Sequence, residues 1–402
     1  MTLESSKQTA AVYRQYAPDE LIDELTLWMV SGVGSKLTQQ LLRRFGDVRS
    51  VLAASVDELQ TVSGIGSKLA TNISQAAVTC NPEKLIEQCR DEKILILSIN
   101  DSRYPEQLRS IDDPPPVLFV KGTLQPSDAS AVAIVGTRNA SDYGRSQTRR
   151  LAKNLAQSGF TIVSGLAYGI DGEAHRGALE VNGRTIAVFG NGLLHIFPPE
   201  HKELADEIAN HGALVSEYAP SRTPDKGLFP QRNRIVSGLS LGVLVVEAPR
   251  ESGALITATA ATKQGRKIFA VPGQVDNEFS RGCHQLIRSG AVLVETVDDL
   301  LEQLGNAVRT VQTTNETETK VIIAAETIKP RENVTKLLTP AELKLNETET
   351  KILTQINTTP TLIDDIISET NLPPHQVLTT ITMLEIRRII KRAESNTVIR
   401  VR

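Results

Sequence analysis

Cysteine is scarce in this 402-residue chain, and its three positions fit no disulfide or metal pattern. Cys80, Cys89 and Cys283 are odd in number and widely scattered, with no C-x-x-C spacing. A disulfide framework needs an even, clustered set, and a zinc site needs paired ligands at short spacing. We therefore expect ordinary reduced thiols and no metal site.

Long apolar runs are also missing. The first twenty residues contain no apolar stretch of the kind found in signal peptides, and no later segment reaches about 18 uninterrupted apolar residues. The sequence therefore predicts a cytoplasmic protein that is neither exported nor membrane-spanning. Its 40% hydrophobic content is enough for two to four domains with cores of their own.

A strong net charge of one sign is the third absence. The formal net charge is −3, so any nucleic-acid site must be a local concentration of cations. Aromatic residues are only 4% of the chain and cannot be the main filling of the core. An aromatic residue inside a polar, cationic segment is therefore informative.

Such a segment is KGLFPQRNRIV, residues 226–236. Its cations can hold a phosphodiester backbone, and the ring of Phe229 offers a face on which an unpaired base stacks for roughly 1–3 kcal/mol. In the alternative interpretation, Phe229 fills a hydrophobic gap and the arginines line a solvated helix. The candidate contacts are Lys226, Phe229, Arg232, Asn233 and Arg234.

The chain divides into four predicted pieces: 1–90, 91–304, 305–343 and 344–402. In the first, SGVGSK at 31–36 returns as SGIGSK at 63–68, each copy between helix-like segments. This repeat resembles the helix-hairpin-helix module, whose glycine turn brings backbone amides close to a phosphate. Glycines that only build tight turns in a packing domain remain the alternative.

The second piece alternates short apolar runs with helical stretches. Runs such as IAVF and VLVVE are apolar at successive positions, as in parallel strands buried on both faces. We therefore predict an α/β domain with a Rossmann-like, doubly wound, mostly parallel sheet. The predicted strands are Ile94–Ile99, Val117–Lys121, Val132–Val135, Thr161–Val163, Thr185–Phe189, Ala213–Ser216, Leu241–Val246, Lys267–Val271 and Ala291–Val294, and the predicted crossover helices are Arg145–Ser158, Gly172–Glu180, Glu200–Ala209, Arg232–Ser237 and Leu255–Gln264.

The last two pieces are a linker and a small domain of helices and two strands. Residues 305–343 are rich in Thr, Glu, Asn and Lys without an apolar period, which is typical of a flexible linker. Residues 344–402 are predicted as helices Glu347–Ile356, Leu362–Glu369 and His375–Ile386, then strands Ile389–Lys391 and Val398–Val401. This order is that of a winged helix, for which DNA contact and purely protein contact both remain open.

Ligands of open parallel sheets bind at the carboxyl ends of the strands, where the strand order reverses. After Val132–Val135 the chain reads Gly136-Thr137-Arg138, without the G-x-G-x-x-G pattern of a dinucleotide site, so no nicotinamide or other cofactor is expected. An arginine beside a helix start suits a single phosphate. Arg138 is therefore a candidate phosphate contact, with a plain surface arginine as the alternative.

Three further loops offer phosphate contacts. After Thr161–Val163, the small residues let a ligand approach the backbone; Asp171 and His175 on the next helix share a face, but a structural role is favoured over a metal site. The loop after Leu241–Val246 leads to a helix start, and the fourth loop holds a weaker lysine candidate. The added candidates are Ser164, Gly165, Ser252, Gly253 and Lys202.

Together, Gly136-Thr137-Arg138, Ser164–Asp171 with His175, FPQRNRIVSGLS and EAPRESGALITA resemble the DNA-processing protein A family, also called DprA or Smf. The resemblance covers almost all of the central piece. It implies a factor of natural transformation that binds and protects incoming single-stranded DNA and loads RecA recombinase onto it, as a homodimer and without catalysis. By motif position, Arg138 and Lys226 would hold the backbone and Phe229 would stack.

Two enzyme classes compete with this interpretation. A nucleotide-processing enzyme of the lysine-decarboxylase-like class shares a related Rossmann core but carries a P-G-G-x-G-T motif, and the nearest match here is Val271-Pro272-Gly273-Gln274. A nicotinamide dehydrogenase would carry a G-x-G-x-x-G fingerprint, which the loop after Val132–Val135 lacks. A pure scaffold leaves the cationic segment unexplained.

Overall fold

The computed structural model describes residues 18–304, 347–356, 361–370, 390–393 and 397–400, with single positions at 372, 377, 380, 381 and 384. The chain forms two compact units, Met1–Ile322 and Ile323–Arg402. The predicted linker 305–343 lies outside the described residues, as does most of the predicted helix His375–Ile386. Within the described residues, no helix is both long and apolar enough to cross a membrane.

The first unit begins with short helices that contain both predicted glycine hairpins. Gly32 has φ of 96° and Gly64 has φ of 90°, a region that favours glycine because it has no Cβ. Val33 and Ile65, one residue further on, are buried in the core of the helical piece. The helices are α1 (Pro18–Met29), α2 (Ser35–Phe45), α3 (Val48–Ala53), α4 (Val56–Gln60), α5 (Ser67–Ser74), α6 (Ala76–Thr79) and α7 (Pro82–Asp91).

A nine-stranded sheet follows, in the order β1-β2-β6-β5-β4-β3-β7-β8-β9. The two pairings that involve β2 are antiparallel and the others are parallel, so the prediction of a mostly parallel sheet is confirmed. All nine predicted strands are present, with ends shifted by one residue or not at all. They are β1 (Ile94–Ser98), β2 (Val117–Gly122), β3 (Ala131–Val135), β4 (Thr161–Ser164), β5 (Thr185–Val188), β6 (Ala213–Ser216), β7 (Gly242–Val245), β8 (Lys267–Ala270) and β9 (Val292–Leu293).

Helices cover both faces of this sheet. The predicted helix Arg232–Ser237 is present but starts four residues earlier, at Leu228, so most of the cationic segment is helical. The helices of this region are α8 (Glu106–Arg109), α9 (Asp142–Gln157), α10 (Ile170–Leu179), α11 (Lys202–His211), α12 (Leu228–Gly238), α13 (Gly253–Lys263) and α14 (Arg281–Arg288).

Successive residues of the central strands enter different cores, which explains their unbroken apolar runs. In β3, Ala133 and Val135 pack with helices α12 and α13, whereas Val132 and Ile134 pack with α9 and α10. Near the other end of the sheet, the buried ring of Phe119 contacts Trp28 of α1, with ring centroids 5.3 Å apart. The helical piece and the sheet therefore share a core.

The second unit contains a three-stranded antiparallel sheet in the order β10-β12-β11. Both strands predicted here are present with shifted ends, and β10 is an addition that its two-residue length hides from sequence patterns. The elements are α15 (Glu347–Leu353), β10 (Thr361–Leu362), α16 (Ile363–Thr370), β11 (Ile390–Ala393) and β12 (Thr397–Arg400).

We expect Phe119→Ala to lower the free energy of unfolding by about 3–5 kcal/mol, because it removes a fully buried ring from a shared core. Urea unfolding measures this change, and Trp28, the single tryptophan, reports the same contact by fluorescence. Val275→Ala is the control, since that side chain is 86% exposed. A Phe119→Ala protein as stable as the control variant would contradict the shared core.

Candidate nucleic-acid interface

The strand order reverses between β3 and β7, because β3 to β6 extend to one side of this point and β7 to β9 to the other. The loops that follow these two strands therefore diverge and leave a crevice, as expected for an open parallel sheet. A cavity of about 380 Å³ lies there. Eight of the eleven predicted contact residues line it: Arg138, Gly165, Lys226, Phe229, Arg232, Asn233, Ser252 and Gly253.

Glu247 holds the two diverging loops together. Its carboxylate accepts hydrogen bonds from the backbone N–H and the hydroxyl of Ser141, and its backbone carbonyl accepts one from Thr137. Ser141 is the N-cap of α9, so the carboxylate lies at the positive end of that helix. The predicted use of this helix start by a phosphate is thereby corrected, because the protein's own carboxylate already occupies it.

Two cations at the rim of the cavity are free to meet a ligand. Arg138 follows β3 and Lys226 precedes α12, and both side chains are exposed. Within the described part of the chain, neither cation has a hydrogen-bonded or ion-paired partner. Both therefore keep the full charge needed to attract a phosphate.

Phe229 lies at the rim and is partly buried. The guanidinium carbon of Arg138 lies 5.7 Å from its ring centroid, within range of a cation–π interaction. The ring also packs on the backbone of Gly190, where a Cβ would crowd it. A second ring, Phe197, has its centroid 5.5 Å away. It lies in a largely apolar loop, so no sequence signal set it apart from core residues.

Arg232 forms part of the cavity floor. Only 5% of the residue is exposed, and Nη1 donates to the carbonyl of Val188. Its guanidinium lies over Gly165, where any Cβ would overlap it. Burial lowers the pKa of Arg232, and the nearby Asp171 carboxylate opposes that shift. Arg232 is therefore not a solvated arginine, and its contact with a phosphate stays a prediction.

Helix α13 starts at the opposite wall. Ser252 is its N-cap and its hydroxyl accepts a hydrogen bond from the N–H of Ala254, so the predicted cap is present. Asn233 of α12 reaches this wall, with its amide Nδ2 3.4 Å from the carbonyl of Gly253. No side chain fills the space around Gly253, so this helix start is open to the cavity within the described structure.

Three predicted contacts lie elsewhere. The Ser164 hydroxyl donates to the carbonyl of Ile134 inside the sheet. Arg234 is ion-paired with Asp113 and Glu217, which neutralises it. Lys202 lies outside the cavity and pairs with Asp206 one turn along α11. The structure therefore does not bring these three residues to the cavity, and each has a partner within the protein.

The loop after β4 is also held by the protein itself. The carboxylate of Asp171 accepts hydrogen bonds from the N–H groups of Gly165 and Ala167, so the Gly165 amide predicted for a phosphate is occupied. Burial raises the pKa of Asp171 and lowers that of His175 to about 3. His175 is fully buried against the Thr185 hydroxyl. Asp171 and His175 thus have structural roles.

Comparison with known proteins identifies the family. The model of DNA recombination-mediator protein A matches residues 95–305, a SAM-like helix-hairpin-helix tandem matches 23–79, and the DprA winged-helix domain matches 337–396. Protein Smf of Synechocystis is 38% identical over 90% of this chain and 94% of its own. The chain belongs to the DNA recombination-mediator protein A family. The predicted resemblance and all three predicted fold types are therefore confirmed.

Two other relatives each match more than half of the chain. DNA processing protein DprA of Bacillus subtilis is 44% identical over 55% of this chain and 75% of its own. The crystal structure of DNA processing protein A from Streptococcus pneumoniae is 36% identical, with a TM-score of 0.63, over 70% of this chain and 97% of its own. The family therefore extends across the region that contains the cavity.

Two glycines of the cavity provide a test of its floor. We expect Gly165→Ala to destabilise the protein by about 1–3 kcal/mol, because the added Cβ overlaps the buried guanidinium of Arg232. Gly253→Ala is the matched control, since a Cβ there meets nothing within 4 Å. Thermal unfolding compares the two, and equal melting temperatures would show that Arg232 does not lie over Gly165.

Proposed function

We propose that this protein binds single-stranded DNA along the rim of the cavity and acts in DNA processing without catalysis. The observation that carries the proposal is that two exposed cations without ion-pair partners, Arg138 and Lys226, line the same cavity as Phe229 at the reversal of strand order. In a chain of net charge −3, this is the local positive charge that a nucleic-acid site requires.

A polymer fits this arrangement better than a free nucleotide. The loop after β3 lacks the glycines that bring a pyrophosphate onto the backbone, and Glu247 already occupies the start of α9. The remaining cations are separate single-phosphate contacts on different elements. Successive phosphates of one strand can occupy them while a base meets the aromatic rim.

Membership of the family supports the wider role that we propose. In this proposed role, the protein is a cytoplasmic homodimer. It protects incoming single-stranded DNA during natural transformation and loads RecA recombinase onto that DNA. The relatives are named as DNA processing proteins and the family as a recombination mediator, which agrees with such a role. Direct binding of purified RecA to the protein–DNA complex is the measurement that tests this part.

We expect Arg138→Ala and Lys226→Ala each to weaken binding of oligo-dT several-fold, because each removes one backbone contact. Each should also reduce the slope of log K against log salt concentration by about 0.7, the share of one phosphate on a single strand. Fluorescence anisotropy across a salt series measures both. Lys202→Ala is the control, since this exposed lysine is paired with Asp206 and lies outside the cavity.

The same anisotropy measurements test whether the protein binds single-stranded DNA more tightly than duplex. A protein that lacks residues 344–402 should still prefer the single strand, because the contacts lie in the central sheet. Equal affinity for both forms would overturn the proposal, as would undiminished binding in folded Arg138→Ala and Lys226→Ala proteins.

We expect Phe229→Ala to weaken single-strand binding by roughly 1–3 kcal/mol, the value of one stacked base. Its melting temperature should fall less than that of a core variant, because the ring is only partly buried. Phe229→Tyr should retain binding, since it keeps a flat face. A large loss of stability with normal affinity of the folded fraction would assign Phe229 to the core.

A further inference from the structure

Phe197, rather than Phe229, presents the larger exposed ring beside the cavity. It is 40% exposed and lies between β5 and α11, whereas Phe229 is partly buried. The chain contains only eight phenylalanines and six tyrosines. Two of the eight phenylalanine rings are therefore in contact with each other beside one cavity.

Phe229 is not fully free to stack in the unbound protein. The guanidinium of Arg138 lies over its ring, and the backbone of Gly190 packs against its edge. A base that stacks on Phe229 must share or displace the guanidinium, which can then turn to a phosphate. Phe197 is 40% exposed, so more of this residue than of Phe229 is accessible to a base in the unbound protein.

The geometry of the two rings determines how many bases can stack on them. Their planes are inclined by 38°, so one flat base cannot lie against both. Their centroids are 5.5 Å apart, whereas neighbouring bases in a helical stack are separated by about 3.4 Å. Two successive bases can each meet a ring only if they are pulled apart and turned relative to each other.

We propose that Phe197 is a second stacking residue, which holds the base next to the one on Phe229. This inference rests on the proposed single-strand binding and extends it to two adjacent, mutually unstacked nucleotides. The phosphate between them would lie near Arg138, whose guanidinium carbon is 5.7 Å from the Phe229 ring centroid. A duplex cannot adopt this spacing without opening its stack, so the aromatic pair contributes to discrimination against duplex.

The competing role for Phe197 is mechanical support of Phe229. A double-mutant cycle separates the two roles, because independent stacking multiplies the losses whereas support makes the second substitution silent. The variants are Phe197→Leu, Phe229→Leu and the double variant, since leucine keeps apolar bulk but has no flat face. The probe is fluorescein-labelled dT8, measured by anisotropy.

We expect Phe197→Leu to raise Kd for dT8 by about 5- to 100-fold, in the wild-type protein and again in the Phe229→Leu protein. Phe197→Tyr should bind as the wild type does. In a Trp28→Phe background, the fluorescence of Phe197→Trp should be quenched when dT8 binds, a signal that a supporting residue outside the DNA path would not give. Melting curves establish that each variant is folded.

Normal dT8 affinity of folded Phe197→Leu would overturn the inference, as would a substitution that has no effect in the Phe229→Leu background. Either result leaves single-strand binding itself intact. Failure of the wild-type protein to bind dT8 at any salt concentration would instead overturn the proposed function, so the two failures are distinguishable.

Discussion

One buried carboxylate, Glu247, determines how the cavity is built. It is 1% exposed and ties the loop after β7 to the N-cap serine that starts α9. Gly144 leaves room for it, because a Cβ there would overlap the carboxylate. The helix start stabilises the buried negative charge, and in return the loop that carries Arg138 is held at a fixed distance from the start of α13. The anion site that a Rossmann-like fold usually offers to a ligand is used here to hold the fold itself.

Glu247 occupies the start of α9, so a phosphate must rely on other charges. The cations of the segment 226–236 fall into two groups, those with a partner in the protein and those without one. Arg232 and Arg234 have protein partners, the first at the Val188 carbonyl near Asp171 and the second at two carboxylates. Lys226 has no partner among the described residues. Burying a cation is costly unless it is hydrogen-bonded or paired, so the partnered arginines serve the fold, and the unpaired lysine remains for a ligand.

Much of the fold could be predicted from local pattern. Parallel strands that are buried on both faces are largely apolar, which made the central strands such as β3 and β7 visible in the sequence. The remaining strands of the sheet were short apolar runs between helix-like segments. The hydrogen-bond and ion-pair partners of the site residues were harder to predict. The partners of Arg234 lie at Asp113 and Glu217, and Ser141 lies 106 residues from Glu247. No spacing rule encodes such contacts, so the sequence predicted which loops meet but not which side chains are already occupied when they meet.

For the proposed binding of single-stranded DNA, the same division of charge favours one orientation of the strand. The cavity floor contains a buried arginine close to a buried carboxylate, so its charges largely offset each other and give a phosphate little attraction. The free cations, Arg138 and Lys226, are at the rim. A phosphate gains most where charge is unpaired and desolvation is small, whereas a base gains most from apolar and aromatic surface. We infer that the backbone follows the rim and that the bases turn inward toward the rings and the cavity, an orientation that a base-paired strand cannot adopt.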